Sequence, residues 1–166
     1  MIYLGIDNGV TGGIAVLSPL GQIIDAFVMP VHRVRGNEID AQRLVSGIRD
    51  AVHNCEFVAV VEECPEHSKQ KSTMRSMATS YGIICGAISA AFPSMRLVRV
   101  RSGNPKDSWQ RAMLNTVKGN TKPAALAKAR SLWPSESWLA TPRSSTPHSG
   151  LIDAALIAEY ARIKKL

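Results

Sequence analysis

Cysteine is scarce in the 166-residue chain: Cys55, Cys64 and Cys85 are odd in number, far apart and form no C-x-x-C pair. That argues against both a disulfide framework and a zinc knuckle, and fits a reducing compartment. No apolar run approaches the roughly 20 residues that span a bilayer, and the amino terminus enters a strand-like segment without a charged-then-apolar leader. The expected setting is cytoplasmic, in a bacterial or phage-infected cell or an organelle matrix, and not secreted. There is no internal repeat and no sign of a second domain, so residues 1–166 are expected to form one domain. A 45% hydrophobic fraction supports its core without covalent staples. Acids are the minority charge: 13 Asp and Glu face 20 Lys and Arg, a net +7. That balance favours an anionic partner. No basic amphipathic helix is present, which sets a membrane surface aside in favour of nucleic acid.

Met1–Asp7, Gly12–Ser18 and Gln22–Met29 read as three strands separated by turn signals at Asn8-Gly9 and Pro19–Gly21. His32–Asn37 is polar and reads as a loop. From Glu38 to His53 apolar residues recur at helical spacing, Ala41, Leu44, Val45, Ile48 and Val52. Phe57–Val61 is a short β-branched run, consistent with a buried strand. Met74–Phe92 reads as a long helix stopped by Pro93, Arg96–Arg101 as a fifth strand, and Lys106–Thr116 as a short helix. Thr121-Lys122-Pro123 has the cap-then-proline order of a helix start, with that helix running to Leu132. A Ser-, Thr- and Pro-rich loop, Ser135–Pro147, precedes a nearly all-apolar helix from Ser149 to Ile163. The expected fold is α/β, a mixed five-stranded sheet flanked by helices, in the order βββ-α-β-α-β-α-α-α.

Three acids stand where such a fold brings element ends together: Asp7 closing the first strand, Glu62 closing the fourth, and Asp153 near the start of the last helix. Carboxylate oxygens are hard ligands suited to Mg²⁺ or Mn²⁺, and two such ions about 3.5–4 Å apart clamp the attacking and leaving oxygens of a phosphodiester displacement. Each acid also has a plainer reading. Asp7 suits an Asx turn, Asp153 complements a helix dipole, and strand alternation leaves open whether Glu62 or Glu63 points inward.

The segments L-G-I-D-N-G-V-T-G-G-I-A-V-L (4–17), V-V-E-E (60–63) and H-S-G-L-I-D-A-A-L-I-A (148–158) resemble the RuvC-like Holliday-junction resolvases, most nearly the phage-type and chloroplast branch. Y-G-I-I-C-G-A-I (81–88), K-D-S-W-Q-R (106–111) and T-K-P-A-A-L-A-K-A-R-S-L-W-P (121–134) agree in order, so the likeness covers nearly the whole chain. It implies an RNase H-like fold and a homodimeric, Mg²⁺-dependent endonuclease that resolves four-way DNA junctions. Asp7, Glu62 and Asp153 would be the metal-binding acids. It also implies a role near the scissile phosphate for Lys122, at a helix start whose free N–H groups favour an anion. One departure matters. Phage-type members often read H-D-G where this chain has His148-Ser149-Gly150, which leaves three readings open: His148 or Ser149 serves in place of the fourth ligand, directly or through water, or three carboxylates hold the ion alone and His148 is a plain loop residue.

Between Arg96 and Arg130 nine basic residues meet one acid, Asp107. Within that stretch Lys106, Arg111, Lys118, Lys122 and Lys128 are candidates for phosphate contacts that position DNA without reading its sequence. Arg33, Arg35, Lys69, Lys71 and Arg75 form two further basic patches suited to junction arms. The reading is a structure-selective endonuclease for branched DNA that cuts in symmetric paired nicks. Its two rivals are a non-catalytic junction-binding protein in which Ser149 marks a decayed metal site, and an actin-like phosphate-binding enzyme, suggested by Gly5–Thr11. The second needs two lobes, and the chain has room for one.

Overall fold

A computed structural model describes residues 1–32, 37–64, 71–103, 106–114 and 121–166, without the side chains of 71–73. The elements in chain order are β1 (Ile2–Asp7), β2 (Gly13–Leu17), β3 (Ile23–Val28), β4 (Val31–His32), β5 (Glu38–Ile39), α1 (Ala41–Val52), β6 (Phe57–Glu62) and α2 (Lys71–Ala91). They continue with β7 (Arg96–Val100), α3 (Trp109–Leu114), α4 (Lys122–Leu132) and α5 (Ser149–Lys164). Five strands form one mixed sheet in the order β3-β2-β1-β6-β7. The first three make the expected antiparallel meander. β6 and β7 then add in parallel on the other side of β1, which is why the chain needs helical crossovers there.

Strand alternation sorts the side chains into two cores. Ala15, Leu17, Val58, Val60 and Val100 face α3, α4 and α5, whereas Leu4, Ile6, Ile14, Ala59 and Val61 face α1 and α2. α5 lies in the first core and is enclosed on nearly all sides, which matches its apolar sequence. From Gly150 to Ala161 every residue is buried except Asp153. No helix among the described residues is long and apolar enough to cross a membrane.

Three expectations need correction. His32, expected within a loop, instead ends β4, which pairs with β5 as a small second sheet with Val31 opposite Ile39, whereas residues 33–36 of that expected loop lie outside the described residues. Two-residue strands carry no alternation to read. The first helix therefore begins at Ala41 and not at Glu38, where the Asp40 carboxylate caps it by accepting from the Arg43 N–H at 3.0 Å. α3 starts at Trp109, later than Lys106, with the Ser108 hydroxyl accepting from the Arg111 N–H. Thr121 precedes α4 as expected, but its side chain makes no capping bond. The Ser- and Pro-rich loop is pinned by Trp138, which packs edge-on against Trp133 with ring centres 5.6 Å apart and whose carbonyl accepts from the His148 N–H.

Candidate active site

β1 and β6 run parallel with Ile6 opposite Val61, so Asp7 and Glu62 close adjacent strands at the same end of the sheet. Both share the face of Val58 and Val60, toward α5. Their side chains are hydrogen-bonded to one another. Burial, then repulsion from Glu62 and Asp153, raises the Asp7 carboxyl well above the ordinary aspartate range. Burial also raises Glu62, opposed by Ser102, Trp109 and Asp7, which favour its ionised form. The Trp109 indole is fully buried, and its N–H lies toward the Glu62 carboxylate without closing a full hydrogen bond. Glu63 takes the opposite face and pairs with Arg101 at 3.4 Å, so Glu62 is the inward residue of the two.

Asp153 reaches the same place because α5 lies against the sheet with almost no separation. A β-carbon at Gly5 would collide with the Ala154 carbonyl, and one at Gly150 would stand 2.5 Å from the Gly12 carbonyl carbon. Gly12 and Gly150 form an isolated parallel bridge, tying the β1–β2 turn to the first turn of α5. Asp153 is thus in the second turn, past the reach of the helix dipole, and the first turn carries no acid. Burial first, then Glu62, raises its carboxyl to about 7.

Lys122, at the first position of α4, is close enough to lower the pKa of both Asp7 and Asp153. Three carboxylates and one cation thus converge from β1, β6, α5 and α4. His148 is the N-cap of α5, where its Nδ1 accepts from the Leu151 N–H at 3.3 Å, which leaves Nε2 as the nitrogen not used by the helix. Burial lowers its pKa and favours the neutral, ligand-competent form. Ser149 follows within the helix. Among the described residues no three His, Cys, Asp or Glu side chains close tightly enough to cage an ion. The donor set nevertheless suits a hard divalent cation. It consists of carboxylate oxygens whose charged forms are disfavoured by burial and mutual repulsion, a penalty that a cation relieves.

The other basic candidates are spread around this end and beyond. Arg75 is exposed on α2, Lys106 and Arg111 are exposed around the start of α3, and Lys128 is half-buried on α4. Arg33, Arg35, Lys69 and Lys118 lie outside the described residues, as does the Lys71 side chain. Ser102 and Trp109 are partners of Glu62 that the sequence hardly announces. Trp109 stands in the K-D-S-W-Q-R segment without a sign of its role, and a serine one residue past Arg101 carries no pattern at all.

No protein-family model matches the sequence, and no curated protein matches it. Among solved structures, Thermus thermophilus RuvC in complex with a Holliday junction substrate is similar over 99% of this chain and 95% of that one, with a TM-score of 0.65 and 20% identity. A second Thermus thermophilus RuvC structure is similar over 99% and 96%, with a TM-score of 0.56 and 18% identity. The chain has the RuvC fold. The likeness seen in six sequence segments is thus matched in the whole architecture of mixed sheet and flanking helices.

Proposed function

We propose that the protein is a structure-selective DNA endonuclease that cuts four-way and other branched junctions by divalent-metal-dependent phosphodiester hydrolysis. The observation that carries this reading is the meeting of Asp7, Glu62 and Asp153 beside Lys122 within a RuvC fold. Asp7, Glu62 and Asp153 would hold Mg²⁺, or Mn²⁺ in its place, with His148 Nε2 or the Ser149 hydroxyl as the further donor, and the chemistry supplied there would be activation of water and stabilisation of charge on the phosphate.

The remaining work falls to the protein's own groups. Ser102 and Trp109 favour the ionised form of the Glu62 carboxylate. Lys122 offsets the negative charge that three acids and a phosphate bring together, and that charge grows as the phosphorus is attacked. Arg75, Lys106, Arg111 and Lys128, with Arg33, Arg35, Lys69, Lys71 and Lys118, bind phosphates and orient the arms. The outward side of α2 leaves Ala78, Gly82, Gly86 and Ala90 exposed, a face that a second copy can cover closely. A two-fold dimer then presents two sites to a junction of matching symmetry and cuts it in paired nicks.

The test incubates labelled four-way junction and matched linear duplex with the protein in Mg²⁺, Mn²⁺ or EDTA. Paired symmetric nicks in the junction alone are expected, absent in EDTA and in Asp7→Asn. Tight junction binding without nicks under either metal would make it a binding protein instead, and would point to Ser149 as the site of the loss.

A further inference from the structure

β7 ends at Val100, and Ser102-Gly103 is the turn signal that leads the chain toward α3. This connection brings two residues beside Glu62, Ser102 and Trp109. What holds Ser102 there is the backbone on either side of it. The peptide unit before it is fixed by the Trp109 N–H, which donates to the Arg101 carbonyl at 2.9 Å. The peptide unit after it is fixed by a side chain, because the Gly103 N–H donates to Gln110 Oε1 at 2.9 Å. Both backbone torsions of Ser102 thus lie between planar units that α3 grips, and the residue has little freedom to swing away from Glu62.

The grip on Gly103 is two-sided. Its carbonyl accepts from the Ser108 hydroxyl at 2.7 Å, and the same hydroxyl oxygen, fully buried, accepts from the Arg111 N–H. Gly103 itself is left-handed, with φ at 76°, a conformation that is cheap for glycine alone. Gln110 is half-buried on the first turn of α3, and only the oxygen end of its amide can accept an N–H, so the bond also fixes which way the amide faces. Carboxylates that ligate a metal depend on the groups around them for their place, and loss of such a group commonly costs about 10–100-fold in metal affinity or activity.

We propose that Gln110 is a positioning residue of the active site: by holding the Ser102–Gly103 peptide unit it keeps Ser102 against Glu62, and so keeps Glu62 beside Asp7 in the place where a cation is held. Gln110 acts on Glu62 only through Ser102. Its effect on cleavage rests on the DNA-cleaving reading, whereas its effect on the placement of Ser102 and Glu62 does not.

The test compares wild type, Gln110→Met, Ser102→Ala and the double variant, all as full chains. Methionine keeps the length of the side chain and its helix propensity at a half-buried position, and removes the strong acceptor. The first arm is NMR of metal-free protein, in which the Trp109 indole N–H, lying toward Glu62, reports where the carboxylate stands. In Gln110→Met the Gly103 amide should exchange severalfold faster with solvent, and the indole resonance should shift. In the Ser102→Ala background the same substitution should still speed Gly103 exchange but leave the indole where Ser102→Ala alone put it, since groups acting through one another are not additive. An unmoved indole in Gln110→Met, or the same added shift in both backgrounds, overturns the proposal whether or not junctions are cut.

The second arm measures Mn²⁺ binding by electron paramagnetic resonance without DNA, and single-turnover nicking of bound junction in Mg²⁺. Gln110→Met should weaken the first and slow the second by roughly tenfold, with junction affinity in EDTA unchanged. Neither quantity should fall further between Ser102→Ala and the double variant. Losses that add in full, or wild-type metal affinity and nicking in Gln110→Met, overturn the proposal. If the wild type neither binds Mn²⁺ nor cuts junctions while the first arm behaves as expected, Gln110 still places Ser102 against Glu62, and it is the DNA-cleaving reading that falls.

Discussion

Asp7 and Glu62 end neighbouring parallel strands and share a hydrogen bond, whereas Glu63, one residue on, turns away to Arg101. The two glutamates therefore predict opposite outcomes. Glu62→Gln should reduce junction cleavage by on the order of 10²–10³-fold, the scale of losing one preorganised group in a site. Glu63→Gln should leave cleavage within about threefold, because exposed ion pairs contribute little. Initial nicking rates at saturating protein decide between them, and equal losses would sink the assignment of Glu62.

Burial raises the Asp153 carboxyl to about 7, so in metal-free protein the folded state holds that proton more tightly than the unfolded chain does. Stability from this group is fully present below its ordinary value near 3.8 and is lost as pH rises through about 7. Asp153→Asn removes the loss. In EDTA at pH 8 it should melt above wild type, with each kcal/mol worth roughly 2–4 °C in a chain of this length, and the gap should close near pH 4. Adding Mg²⁺ at pH 8 should raise the wild type and not the variant. A gap that widens as pH falls would contradict the cause given for the shift.

The contact between Gly150 and the β1–β2 turn ties fold to site. Gly150→Ala places a methyl 2.5 Å from the Gly12 carbonyl carbon, so α5 must lift or the turn must shift. The expected cost is about 1–3 kcal/mol, typical of overpacking, measured by denaturant unfolding. Cleavage by the fraction that stays folded should fall as well, since the strain is applied between the elements holding Asp7 and Asp153.

What could be read in advance follows from which interactions are local. The meander was legible because Asn8-Gly9 and Pro19–Gly21 are turn signals between apolar runs, and α5 because an uninterrupted apolar helix must be buried. Asp153 interrupts that apolar run, which is why it stood out. The β4–β5 pair was not legible, since two residues per strand give no period. Nor could the Glu62–Glu63 ambiguity be settled, because a strand's face is fixed by its neighbours. Ser102 and Trp109 acquire meaning only when β6, β7 and α3 are assembled around them.

Lys122 separates chemistry from binding. It is near enough to lower the pKa of both Asp7 and Asp153, yet it is one cation among many on a strongly basic chain. Lys122→Met should therefore weaken junction binding only modestly and reduce the salt slope by about one charge, as losing a single phosphate contact does. Cleavage of bound junction should fall by roughly 10²-fold, because the charge developing at the phosphate loses a cation beside the carboxylates. Binding isotherms across a salt series, paired with single-turnover nicking, measure both effects. A variant that binds far more weakly but cuts every bound junction at the wild-type rate would make Lys122 a docking residue, and would leave the three carboxylates to act without it.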